Sequence, residues 1–280
     1  MTLAVPAART SETFVHPTAI VSPKAHLGAG VKVGPYSIVG DDVSLGDGVE
    51  LVSHVVVAGR TEIGAETRIF PFASIGHIPQ DRKYHGEPSR LVIGERCVIR
   101  ENATVNPGTE GGGMETRIGD DCLLMASTHV AHDAKLGNNV ILANYVGIAG
   151  HCVIGDNVTF GGTCVVHQFV RVGSHAFIGA QSMVDADVIP YGMALGNRAV
   201  LGGLNLVGLK RRGFDREAIH SLRAAYRMIF SSEGTLRERV DDAAQMFSKD
   251  KLVQDVVEFI SASNGRALCL PRNGHHEEQA

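Results

Sequence analysis

Residues 118–148 read IGDDCLLMASTHVAHDAKLGNNVILANYVGI. Stepping by six from Ile118 gives Leu124, Val130, Leu136, Leu142 and Ile148, all aliphatic. The phase runs on through Ile154, Phe160, Val166, Val172, Ile178 and Val184. In the other direction, one frame shift leads to Val105, Ile99 and Ile93. Beyond a polar gap it continues as Ile75, Ile69, Ile63, Val57, Leu51, Leu45, Val39, Val33, Leu27, Val21 and Val15. Of these 26 anchors 25 are aliphatic, and glycine follows 13 of them, against about 3 expected from 33 glycines in 280 residues. A six-residue unit is too short for a helical hairpin and fits a short strand plus a turn, with the anchor inward. Three units make one triangular coil of 18 residues. Stacked at about 4.8 Å, the coils form a parallel β-helix roughly 40 Å long, with a column of Val, Leu and Ile down each inner face.

Composition agrees with this and removes other classes. Aromatics are 5% and tryptophan is absent, which is sparse for an α/β enzyme core. Charged residues at 20% and hydrophobics at 44% exclude disorder over most of the chain. A net charge of −4 gives no basic surface for nucleic acid. No apolar run reaches the ~18–20 residues of a membrane span. The opening MTLAVPAARTSETF lacks the basic and apolar segments of a secretory signal. Five cysteines (Cys97, Cys122, Cys152, Cys164, Cys269) form no C-x-x-C pair, which points to free thiols in the cytoplasm.

Two insertions break the repeat, at 77–92 (HIPQDRKYHGEPSRLV) and 110–117 (EGGGMETR). A regular solenoid gains nothing from such loops, so they are candidates for function. After Val184 the period ends and helical signals begin. Asp215 is placed to cap a helix carrying Ile219, Leu222, Tyr226 and Ile229. Thr235 and Glu238 form a capping box ahead of Leu236, Val240 and Phe247. Asp250 starts a third helix with Leu252, Val256, Phe259 and Ile260. The expected organisation is a flexible start (1–12), a β-helix (13–195), a small helical domain (196–263) and a flexible tail (264–280).

Anchors 18 apart share a face, so Val130, Ile148 and Val166 stack. His132, His151 and His167 lie two, three and one residues after them, with His129 and Asp133 flanking His132 and Gln168 following His167. Three histidines on adjacent coils allow two chemistries. One is a zinc site with an open position, disfavoured because His129-x-x-His132 points its side chains to different sides. The other is general base catalysis of acyl transfer. There Asp133 orients the imidazole, and a backbone N–H at the Gly150 corner stabilises an oxyanion.

The segments 123–151 (LLMASTHVAHDAKLGNNVILANYVGIAGH), 161–169 (GGTCVVHQF), 80–88 (QDRKYHGEP) and 208–214 (GLKRRGF) resemble the UDP-N-acetylglucosamine O-acyltransferase family of hexapeptide-repeat enzymes, over about residues 13–262. The resemblance implies a left-handed coil and a homotrimer with sites between neighbouring prisms. It implies transfer of a 3-hydroxyacyl chain from the phosphopantetheine arm of acyl carrier protein to the sugar 3-position, the first step of lipid A synthesis, without metal or other cofactor. It makes His132 the base, Asp133 its partner and Gly150 the oxyanion donor. It assigns substrate contacts to Gln80, Asp81, Lys83, Asn106, His129, His151, Gly162, His167 and Gln168, and the UDP portion to Asn205 and Arg211. The basic Lys210–Arg212 run also suits the acidic carrier protein.

The chain departs from the family pattern at three places. Asn106, in TVNPG, stands where members carry histidine; Val207 replaces an acidic position; Ala180 stands at the acyl-length position. The carbonyl of Asn106 can accept an N–H bond, which raises a 3-amino UDP-sugar as an alternative acceptor. Two rivals are weighed. The later N-acyltransferase of the pathway carries its extra domain at the N-terminus, unlike this chain. A non-catalytic β-helical scaffold has no use for aligned histidines or a long polar insertion.

Overall fold

A computed structural model of the protein describes residues 12–263 and 265–272. The expectations for 1–11, 264 and 273–280 lie outside the described residues. Each of the 26 anchors is the last residue of a short strand. The strands form three parallel sheets, the faces of a left-handed triangular prism. Register follows the 18-residue coil, as in Val130↔Ile148↔Val166. We call the faces first (through Val15, Val33 and Leu51), second (through Val21, Val39 and Val57) and third (through Leu27, Leu45 and Ile63).

The interior holds two residues per unit. Besides the anchor, the residue two before it is buried, as at Val49, Val140 and Val158. Small side chains occupy this position near the corners. It explains four of the five thiols, since Cys97, Cys122, Cys152 and Cys164 all fall there and are buried and free. The third residue after the anchor commonly turns the corner with positive φ, for example Asp133 (61°), His151 (61°) and Phe169 (66°). This left-handed backbone costs an L-residue about 1–2 kcal/mol, which the stacked ladders on either side offset.

The insertions are shorter than the repeat arithmetic sets. Strands resume at Arg90–Ile93 and Glu115–Ile118, so residues 90–92 and 115–117 belong to the third face. The reason is a second inward residue in each, Leu91 and Thr116, fully buried beside Thr61. The first face likewise runs past residue 195. Gly192–Leu195 extends it in parallel and Val200–Leu204 folds back antiparallel. Among the described residues four helices follow: α1 (Leu206–Arg211), α2 (Arg216–Ile229), α3 (Leu236–Met246) and α4 (Lys251–Ser261). Asp215 caps α2 by accepting from the Ala218 N–H, and the Thr235/Glu238 capping box of α3 is formed. Asp250 precedes α4 without a side-chain cap bond.

The tail expectation is corrected for its described part. Residues 267–270 lie along the prism end. Asp187 N–H donates to Ala267 O, Cys269 N–H donates to Asp187 O, and Leu201 N–H donates to Leu270 O. Burial of Cys269 is what holds it there. Among the described residues no helix is long and apolar enough to cross a membrane.

Candidate active site

Both insertions leave the prism at one edge. Ile75 and Val105 end strands of the second face, and each loop returns to the third. The next three corners on that edge carry His132–Asp133, Gly150–His151 and Gln168–Phe169. The loops are tied to each other, since Glu87 Oε1 accepts from the Glu110 N–H. Repeat arithmetic could have found this shared edge, because residues 75, 105 and 130 are the same position of successive coils.

At its centre His132 Nδ1 lies 2.8 Å from Asp133 Oδ2. The Asp133 side chain is fully buried and also accepts from Thr109, through the backbone N–H to Oδ1 (2.8 Å) and the hydroxyl to Oδ2 (2.6 Å). A carboxylate can only accept, so the His132 proton sits on Nδ1 and the lone pair on Nε2. Nε2 is 3.9 Å from Asp81 Oδ2, on the first loop, and the His132 side chain is 14% exposed. Across the corner, a Cβ on Gly150 would lie 2.7 Å from the His132 ring, so only glycine admits the imidazole. The Gly150 N–H has no hydrogen-bond partner among the described residues.

Two neighbouring imidazoles are shifted toward their neutral form. Burial pushes the His151 imidazole below its ordinary pKa, against the pull of Asp133. Its ring meets His132 edge-on at 5.0 Å and stacks on Phe169 at 4.4 Å. Burial, with His132 adding, lowers His129, whose Nδ1 is 2.7 Å from Thr104 Oγ1 on the outer second face. Asp81 is held ionised by the Lys83 N–H, then by His132, Lys83 and His151, against partial burial.

His132, Asp133 and His151 bring ligand-type atoms within 4.8 Å of one another. The bonds present join His132 and Asp133 as a hydrogen-bonded pair, since Asp133 Oδ2 already accepts from Thr109 and His132. The three-histidine zinc set is not assembled. His167 is exposed, and its Nδ1 is 2.7 Å from an Arg266 nitrogen that also donates to Gln168 O. Phe169, not His167, is next in the stack.

Other assigned residues lie elsewhere. Gln80 and Lys83 are exposed on the first loop. Gly162 and Ala180 sit past first-face anchors, on a different edge from His132. Asn205 caps α1 and donates to His175 O, and Arg211 is exposed at the end of that helix, near the third edge. One chain therefore does not bring Gly162, Ala180, Asn205 or Arg211 to the dyad. Asn106 lies under the first loop. It is 5% exposed, and its Nδ2 donates to the carbonyls of His77 (3.0 Å) and Ile78 (3.3 Å). It ties down the start of the first loop, and its buried Oδ1 has no partner among the described residues. Sequence reasoning missed Thr109, Phe169 and Arg266, whose partners are distant along the chain.

Residues 187–269 match the family described as Udp N-acetylglucosamine O-acyltransferase, Domain 2. Residues 13–59, 115–150 and 151–186 match Bacterial transferase hexapeptide repeats. The acyl-[acyl-carrier-protein]–UDP-N-acetylglucosamine O-acyltransferase of Agrobacterium fabrum is 46% identical over 264 residues, 93% of this chain and 96% of its own length. The chain belongs to the UDP-N-acetylglucosamine O-acyltransferase family. The Rhizobium johnstonii member is 47% identical over 260 residues, with the same coverage of both chains. The crystal structure of the Moraxella catarrhalis UDP-N-acetylglucosamine O-acyltransferase superposes with a TM-score of 0.89 at 40% identity, covering 91% of this chain and 99% of that one. As a family member the chain is an acyltransferase, which removes the scaffold reading.

Proposed function

We propose that the protein transfers a 3-hydroxyacyl chain from acyl carrier protein to the 3-hydroxyl of UDP-N-acetylglucosamine, opening lipid A synthesis. The carrying observation is the His132–Asp133 pair, which leaves Nε2 unprotonated beside the first loop. Nε2 takes the proton of the sugar hydroxyl as its oxygen attacks the thioester carbonyl. The Gly150 N–H donates to the oxyanion. The intermediate collapses by breaking the C–S bond, and the imidazolium returns its proton to the leaving thiolate.

The active assembly is a homotrimer in this reading. It is supported by the separation of Asn205, Arg211 and Ala180 from the dyad within one chain, which a neighbouring prism would repair. Carrier protein is the second partner, and the five free thiols fit a cytoplasmic setting. Mass spectrometry of purified protein with 3-hydroxyacyl carrier protein and UDP-N-acetylglucosamine tests the reading. The expected product gains one acyl chain on the sugar. No acylated sugar from wild type, or equal product from His132→Ala, would overturn it.

A further inference from the structure

Thr109 begins a short 3-10 turn (Glu110–Gly112) and has extended backbone, φ −130° and ψ 165°. A threonine at such an N-cap ordinarily accepts a bond from the turn through its own hydroxyl. Here it makes no side-chain cap bond. The hydroxyl donates to Asp133 Oδ2 at 2.6 Å, and the backbone N–H of the same residue donates to Oδ1 at 2.8 Å. Asp133 is thus gripped on both oxygens by one residue 24 positions away. The third residue of the same turn closes the seat. A Cβ on Gly112 would stand 1.9 Å from Asp133 Cγ and 2.3 Å from each carboxylate oxygen. From beneath, the Asp133 N–H donates to Thr116 Oγ1 at 2.7 Å.

We propose that Thr109, with Gly112, is the positioning device of the catalytic dyad. The second loop exists to seat Asp133, so that its Oδ2 meets His132 Nδ1 and fixes the imidazole tautomer. This rests on the reading of His132 as general base. A buried carboxylate without these donors would turn away, which leaves Nε2 misplaced. The grip also sets the charge felt by the base. Donors on Asp133 draw charge away from Oδ2. Removing one makes the carboxylate a stronger partner for the imidazolium, so the acid limb of the rate profile moves to higher pH.

The test is steady-state kinetics across pH on the full-length protein, with four variants. Thr109→Val keeps the shape and the backbone N–H and removes the hydroxyl. Its kcat is expected to fall about 10- to 100-fold with KM for the sugar nearly unchanged, and its acid limb to move upward. Thr109→Ser restores the donor and returns both rate and limb to within about threefold of wild type. Gly112→Ala displaces the carboxylate from the other side and reproduces the kcat loss without touching Thr109, which keeps the proposal open to refutation if Thr109→Val fails to fold. His132→Ala is the control. A dead control together with wild-type kcat and an unmoved limb in both Thr109→Val and Gly112→Ala would overturn the positioning role alone. An active control would instead overturn the general-base reading beneath it.

Discussion

The second and third faces of the prism share one kind of interior and have opposite exteriors. Their anchors are equally aliphatic and buried. Outward, the second face presents Ile20, Ile38, Val56, Ser74, Thr104, His129, Gly147, Val165 and Met183 in register. His129 is the one ionisable group among them. The third face presents His26, Ser44, Glu62, Val92, Arg117, Lys135, Val153 and Arg171. Inner ladders decide the fold, and outer ladders decide what the folded prism meets. The second face exposes apolar side chains such as Ile20 (66%) and Ile38 (41%), which the proposed trimer would cover, whereas a charged ladder is what water covers. The dyad lies on the edge where the two exteriors join.

A charge placed on each face tests this contrast and carries the largest expected effect. Ile38 and Val153 are similarly exposed, at 41% and 47%. Ile38→Asp is expected to break an assembly of about three times 29.8 kDa, measured by light scattering, and to take activity to background with it. Val153→Asp is expected to leave both unchanged. Equal behaviour of the two variants removes the distinction between the faces.

At the shared edge, chemistry separates from assembly. His132→Ala is expected to lose about 10²–10⁴ in rate, with trimer mass and melting temperature preserved, because the side chain stands outside the inner ladders. Orientation alone ranks Asp133→Asn as a mild lesion, and the bonds around it argue for more. An amide cannot accept from both Thr109 donors and also from His132 Nδ1–H. It is expected within about tenfold of His132→Ala; near-normal turnover would show that the tautomer does not matter.

The acceptor atom is the next, smaller effect. Asn106 is 5% exposed, with Nδ2 bonded to the His77 carbonyl and Oδ1 buried, so its carbonyl is not presented to solvent for an amine to meet. In competition between the hydroxyl sugar and its 3-amino analogue, kcat/KM is expected to favour the hydroxyl at least tenfold, about 1.4 kcal/mol. A ratio favouring the amine reverses this and restores the alternative drawn from the sequence.

What the sequence disclosed follows the range of the interactions. Anchors, corners and the caps Asp215 and Thr235 depend on neighbours within a few residues or on an 18-residue repeat, and all are legible. Asp250 shows the limit of that rule, for the residue type and position are right and the cap bond is absent. The dyad pair was legible because His132 and Asp133 are adjacent. Its seat was not, since Thr109 reaches Asp133 through a non-repeating loop whose path no period describes. The docking of Cys269 against Asp187 spans 82 residues and has no local signal. The extra strand residues at Arg90–Ile93 and Glu115–Ile118 were hidden because Leu91 and Thr116 fall outside the anchor phase.

The smallest effect distinguishes the faces by pH. On the third face Glu115 accepts from Arg117 and Lys135 and pairs with Arg90. Burial works to raise its carboxyl, but the Arg117 and Lys135 bonds prevail and hold it at about 2. A carboxyl lower in the folded state than in the unfolded chain adds stability above its unfolded value. That stability is lost as pH falls toward the folded one. The window here is therefore from about 4.5 down to about 2. The basic partners are substantially exposed, so the network is worth about 1 kcal/mol rather than the full shift. Glu115→Gln is expected to cost about that much at pH 7, and its melting curve should approach that of wild type as pH is lowered to about 3. Val56→Thr on the second face involves no titrating group, and its difference from wild type should not change over that range. A Glu115→Gln gap of constant size across the same pH range would mean that the loss does not come from the Glu115 charge.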